Sequence, residues 1–149
     1  MTDPGAPVDV DPLTGVASRR RLFDAVRAAI TDVYCYGERA SLAYFDVDDL
    51  KAVNDEAGHA AGDALLREVA RSLRDGLRQS EVVGRVGGDE FAAVLRCGGA
   101  EGRARARALA LAIPVSWGVA ELTLGCTLQG AFEDANAAMF AMKGPRRPR

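Results

Sequence analysis

Several things are scarce in this chain of 149 residues, and each scarcity removes a class of function. The three cysteines, Cys35, Cys97 and Cys126, are scattered, odd in number and without metal-ligand spacing. That excludes a disulfide framework and points to free thiols in a reducing cytoplasm. A formal net charge of −2, with no basic face carrying interleaved aromatics, gives no basis for a nucleic-acid partner. No apolar run is long enough to span a membrane, and the Pro- and Asp-containing N-terminus lacks the apolar core of a signal peptide. The expectation is therefore a cytoplasmic chain with no membrane segment of its own. Internal repeats and low-complexity segments are also missing. What remains is 48% hydrophobic and 27% charged, the balance of a soluble globular domain long enough to bury a core.

Periodicity sets the order of elements. Residues 1–10 read as a loose leader, 11–143 as one domain and 144–149 as a basic tail. Ser18 is placed to N-cap a helix whose Leu22, Val26, Ala29, Ile30 and Val33 recur at helical spacing. A strand from Ser41 to Asp46 follows, then a short helical turn around Leu50–Val53. A longer helix is predicted from about Ala60 to Leu77. After a hairpin around residues 82–95 come a helix over Arg103–Ala112, a strand over Val115–Leu122 and a last helix over Phe132–Met142. This mixture predicts an α/β (α+β) sandwich with a partly antiparallel sheet flanked by helices.

Three segments carry chemistry. In Arg85-Val86-Gly87-Gly88-Asp89-Glu90-Phe91 two glycines join two strand-like runs, a β-hairpin signal in which glycine would supply positive φ. Adjacent carboxylates at such a turn repel each other and call for water or a cation. On this segment alone, a plain hairpin with solvated acids and a cation site both stand. The strand ending in Asp46-Val47-Asp48-Asp49 adds a second acidic group at a strand's carboxyl end, where open sheets bind ligands. Oxygen-only ligands suit a hard cation such as magnesium. Asp48 or Asp49 also reads as an N-cap of the next segment, which leaves Asp46 unexplained. Third, Gly58 and Gly62 interrupt a helical stretch bracketed by Asn54, His59 and Asp63, whose side chains suit a purine's amide edge. His59, the single histidine, reads first as a cap or packing residue.

Taken together these segments resemble the GGDEF domain of bacterial diguanylate cyclases. The matching pieces are Asp11-Pro12-Leu13-Thr14-Gly15 with Arg19-Arg20, Phe45-Asp46-Val47-Asp48 with Lys51, and Asn54-Asp55 through Gly58-His59 to Gly62-Asp63. Gly87-Gly88-Asp89-Glu90-Phe91, Ser116-Trp117-Gly118-Val119-Ala120 and Ala138-Met139-Phe140-Ala141-Met142-Lys143 complete the series, in the family's order.

The resemblance implies a ferredoxin-like palm of the nucleotidyl-cyclase type and a reaction in which two GTP molecules, one per subunit of a homodimer, become cyclic di-GMP. It implies Mg2+ or Mn2+ held by Asp46, the Val47 carbonyl and Asp89, with Asp89 as base and Glu90 completing the acidic cluster. Asn54 and Asp63 would read guanine with His59 nearby. Lys51, Lys143 and Arg147 would meet the triphosphate, and the backbone of Asp48-Asp49-Leu50 would cradle its end.

Departures are visible too. Ser18 replaces a usual Asn, Phe140 a common Tyr and Asn136 an Asp. The stretch from Arg96 to Ser116 is short, so a peripheral hairpin is expected to be missing from the C-terminal half. Where feedback-inhibited members carry Arg-x-x-Asp, this chain has Arg78-Gln79-Ser80-Glu81, so product inhibition is expected to be weak or absent. The residues before Asp11 are too few for a sensory input domain, which is expected to be absent from this chain. The alternative reading is a catalytically weak regulatory domain that binds GTP or cyclic di-GMP.

Overall fold

The computed structural model describes residues 9–143. Helix α1 (Arg19–Tyr36) begins where expected, because the Ser18 hydroxyl accepts from the Arg21 N–H at 3.2 Å, and it ends at Gly37 in the left-handed conformation. The chain then runs through β1 (Ser41–Val47), α2 (Leu50–Ala57), α3 (His59–Asp75), β2 (Val82–Arg85), β3 (Glu90–Leu95), α4 (Gly99–Ala110), β4 (Val115–Glu121) and α5 (Leu128–Lys143). The four strands lie in the order β2-β3-β1-β4, and each neighbouring pair is antiparallel. One parallel bridge, Ala17 to Gly84, covers the outer edge of β2. Apart from α1 and α5 this is a ferredoxin-like βαββαβ unit.

Burial on both faces explains why β1 reads as a continuous apolar run rather than an alternating one. Ala43, Phe45 and Val47 join Leu66, Val69, Leu73, Phe91 and Ala106 beneath α3 and α4. Leu42 and Tyr44 face the other way, against Leu22, Val26, Ala135 and Met139 of α1 and α5. Gly118 allows α5 to lie directly on β4, since an added Cβ would come within 2.2 Å of the Met139 nitrogen.

Two helices start earlier than periodicity indicates, through caps made at a distance or by a neighbour. The N–H of Gly99 donates to Glu121 Oε1 at 3.1 Å, which secures the start of α4. The Thr127 hydroxyl accepts from the Gly130 N–H at 3.0 Å and starts α5. Between β3 and β4 the described chain holds α4 and no hairpin, as the short spacing implied. Cys97 is buried, Cys126 half-buried and Cys35 exposed, all as free thiols. No helix among the described residues is long and apolar enough to cross a membrane.

Glu81, expected beside Arg78 in a degenerate inhibitory site, is instead a clamp. Its fully buried carboxylate accepts from Arg105 Nη1 and Nη2 at 2.5 and 2.6 Å, and from the N–H groups of Arg78 and Arg96 at 2.8 and 2.7 Å. The Arg78 guanidinium turns outward to Glu101 at 3.1 Å. Burial works against the Glu81 charge, but the Arg105 hydrogen bonds and the two backbone donors outweigh it and hold the pKa at about 2, against an ordinary 4.5. A lowered folded-state pKa contributes stability that is complete above the unfolded value and is lost as pH falls through the folded one. The window here runs from about pH 4.5 down to about 2, and the contribution is on the order of 3 kcal/mol. Urea unfolding at about pH 6 and about pH 3 should therefore show a smaller acid loss in Glu81→Gln than in the parent, and equal losses would contradict the clamp.

Candidate active site

The strand register brings the acids together. Asp46 on β1 faces Glu90 on β3 and Ser116 on β4, and the Val47 N–H donates to the Asp89 carbonyl at 2.8 Å. Lys143, at the end of α5, donates to Asp46 Oδ2 at 2.6 Å; the two side chains are only 21% and 17% exposed. Asp46 Oδ1 is the one buried side-chain polar atom without a hydrogen-bond partner among the described residues. An orphaned carboxylate oxygen is costly, and a cation or a donor from a ligand would satisfy it. Glu90 Oε2 accepts from the Tyr44 hydroxyl at 2.6 Å.

The loop that presents Asp89 is shaped differently from the expectation. Positive φ among the described glycines is confined to Gly15, Gly37, Gly58 and Gly125, so Gly87 and Gly88 do not serve as left-handed turn residues. The loop is longer than a two-residue turn, closing with the Val86 and Gly87 N–H groups on the Glu90 carbonyl, and a mirror-image turn is not needed. Arg85 holds it instead. Its Nε and Nη2 donate to the carbonyls of Gly87 and Gly88 at 3.2 and 2.8 Å, while Nη1 lies 3.3 Å from Asp11 Oδ2. Asp11 is fixed in turn by the N–H and hydroxyl of Thr14, at 3.0 and 2.7 Å. Burial pushes the Asp11 carboxyl up, but the Thr14 donors and the Arg85 charge prevail and hold it below the ordinary range.

Electrostatics favour a positive guest. Burial first, then the charges of Asp46 and Glu90, push the Asp89 carboxyl above its ordinary value. Among the described residues no three His, Cys, Asp or Glu side chains form a complete metal cage. Two carboxylates and a backbone carbonyl with open positions nonetheless fit Mg2+, which keeps several waters and shares substrate phosphates. Asp46, Asp89 and the Val47 carbonyl are the residues that would hold it.

The residues expected to meet a nucleotide fall around α2 and α3. The Asn54 carboxamide lies over Gly62, where an added Cβ would come within 1.8 Å of Oδ1, and that contact sets it beside half-buried Asp63. His59 is exposed at the first position of α3. Asp49 stands at the N-cap position of α2, but neither it nor Asp48 caps the helix with its side chain. Asp48 Oδ1 accepts from the Ser116 hydroxyl at 2.7 Å, and Asp49 adopts φ 57° with no side-chain cap. The Asp48 N–H is taken by the Pro114 carbonyl at 2.8 Å, which leaves the N–H groups of Asp49, Leu50 and Lys51 for an anion. Lys51 is exposed, and Arg147 lies outside the described residues. Sequence reasoning passed over Tyr44, the roles of Arg85 and Asp11, and the Arg105 clamp. The polar ring in an apolar strand was the signal available for Tyr44.

The family model described as diguanylate cyclase, GGDEF domain, matches residues 8–149. The chain belongs to the GGDEF family. Diguanylate cyclase DgcP of Pseudomonas aeruginosa is 32% identical over 93% of this chain and 23% of its own length. The probable diguanylate cyclase DgcE of Escherichia coli is 47% identical over 57% of this chain and 8% of its own length. This GGDEF chain thus spans less than a quarter of either relative. The GGDEF domain of DgcB from Caulobacter crescentus, solved with c-di-GMP, superposes with TM-score 0.87 at 27% identity, covering 93% of this chain and 91% of that one. A microbial GGDEF domain solved with cyclic di-GMP gives TM-score 0.83 at 32% identity, over 95% and 97%.

The Asn54–Gly62 contact makes a specific forecast. Gly62→Ala should displace Asn54 and weaken GTP binding by about tenfold or more, the worth of one misplaced buried hydrogen bond, while far-UV circular dichroism stays unchanged. Calorimetric titration checks this, and unaltered affinity would contradict the placement of Asn54.

Proposed function

We propose that this domain condenses two GTP molecules into cyclic di-GMP with release of two pyrophosphates. The observation that carries the reading is the gathering of Asp46, Asp89 and Glu90 at one sheet end, with a buried Asp46 oxygen that has no partner among the described residues. Each half-reaction forms a bond from a 3′-oxygen to an α-phosphorus and breaks that phosphorus's bond to pyrophosphate. Each site binds one GTP, so closing the ring requires two sites facing each other in a homodimer. A Mg2+ or Mn2+ ion at Asp46, Asp89 and the Val47 carbonyl would supply charge neutralisation and acidify the 3′-hydroxyl.

The protein's own groups position and transfer. Asp89, at the mouth of the acidic cluster, takes the proton of the 3′-hydroxyl. Asn54 and Asp63 hold the guanine edge, with His59 at the rim. The Asp63 carboxylate accepts from guanine N1–H and the exocyclic amine, and adenine has no N1–H to give. The Asp49, Leu50 and Lys51 N–H groups and the Lys51 ammonium meet the terminal phosphates, joined by Lys143 and Arg147. Lys143 must leave Asp46 for the nucleotide, an exchange that a bound cation favours. Product inhibition through Arg78 is weak, because Glu81 is committed to Arg105. The setting is cytoplasmic.

The alternative is a regulatory domain that binds GTP or cyclic di-GMP without turnover. The Lys143–Asp46 contact and the absence of a hairpin between β3 and β4 favour it. Concentrated protein incubated with GTP and Mg2+, with products identified by mass spectrometry, separates the two. Cyclic di-GMP should form at a rate per subunit that rises with protein concentration, and Asp89→Ala should lower it by about a hundredfold or more. GTP bound but unconverted would transfer the assignment to the regulatory reading.

A further inference from the structure

Tyr44 has no role in the reaction as proposed, yet its hydroxyl touches the acidic cluster. It lies on the β1 face that otherwise carries Leu42 into the α1/α5 core, and it is 6% exposed. A phenol buried in such a place is costly unless its O–H finds a partner, and a phenylalanine would bury the same ring without that cost. The partner is Glu90 Oε2, at 2.6 Å. Glu90 stands directly opposite Asp46 in the register, so like charge works to swing it outward. The structure restrains it from two sides. The Tyr44 hydroxyl grips Oε2, and Gly87 leaves room for that oxygen, which an added Cβ would approach to 3.2 Å. On its other side the Tyr44 ring meets the edge of Phe132 at 6.4 Å and borders an open groove of about 340 Å3.

We propose that Tyr44 is a positioning residue that locks Glu90 toward Asp46 and Asp89, leaving Glu90 Oε1 as the oxygen presented to the bound cation and nucleotide. The proposal rests on the reaction assigned above, and its test is chosen to survive the failure of that assignment. Tyr44→Phe keeps the ring and removes only the hydroxyl. Mn2+ binding followed by electron paramagnetic resonance should weaken about threefold to tenfold in Tyr44→Phe, with the unfolding temperature close to the parent's. In turnover, kcat should fall by about tenfold with the KM for GTP unchanged, since guanine and triphosphate contacts lie elsewhere. In a Glu90→Ala background, which leaves the phenol no acceptor, the Tyr44→Phe change should have no further effect on Mn2+ binding, because the two side chains act as one unit. Equal Mn2+ affinity in parent and Tyr44→Phe, or effects that add in the double variant, would overturn the proposal. If the parent makes no cyclic di-GMP, the Mn2+ comparison alone decides the role of Tyr44, and the function reading fails separately.

Discussion

Asp46 and Glu90 face each other across two strands, with Asp89 on the loop beside them, and like charges so placed tend to drive the sheet end apart. Much of the local architecture answers that repulsion. Lys143 from α5 covers one Asp46 oxygen, Tyr44 holds one Glu90 oxygen, and the Val47 N–H ties the Asp89 backbone to β1. Arg85 stands behind the loop, joining the Gly87 and Gly88 carbonyls to Asp11, so the segment before α1 becomes part of the site's support. These contacts preorganise the acids without neutralising them fully. A site left short of positive charge is matched to a cation and to the phosphates that accompany it.

The same economy appears at the opposite end of the sheet. In Glu81 a carboxylate that resembles part of a ligand site is buried under Arg105 and two backbone donors. Burying a lone carboxylate would be prohibitive, and four hydrogen bonds in good geometry make it tolerable. The clamp links the loop before β2, the end of β3 and α4, and it fixes α4 in a chain whose connection between β3 and β4 is short. It also occupies Glu81 with the backbone N–H of Arg78 and not with its guanidinium, which lies on the surface with Glu101.

Much of this was legible in the residues. The order of elements, the Ser18 cap and the hairpin follow from periodicity and turn chemistry, which are local, and the meeting of Asp46 with the Gly-Gly loop from the place of Asp46 at a strand's carboxyl end. The starts of α4 and α5 lie earlier than periodicity shows, since Gly99 is capped by Glu121 from a distant strand and Thr127 caps α5 from just before its first turn. Gly87 and Gly88 depart from the positive φ that a Gly-Gly turn predicts, because Arg85 braces the loop through their carbonyls. Pairings such as Lys143 with Asp46, across 97 residues, and Arg105 with Glu81 depend on tertiary contact, which no local pattern encodes. Tyr44 was hidden in a run of apolar neighbours.

The central claim is that Asp46, Asp89 and Glu90 form a site that demands a cation. The most direct measurement is thermal unfolding with and without Mg2+ for the parent and for Asp46→Asn, since an ion that binds only the folded state raises the unfolding temperature. The account predicts a rise with Mg2+ in the parent that Asp46→Asn abolishes. An equal rise in both proteins, or none in the parent, would contradict it.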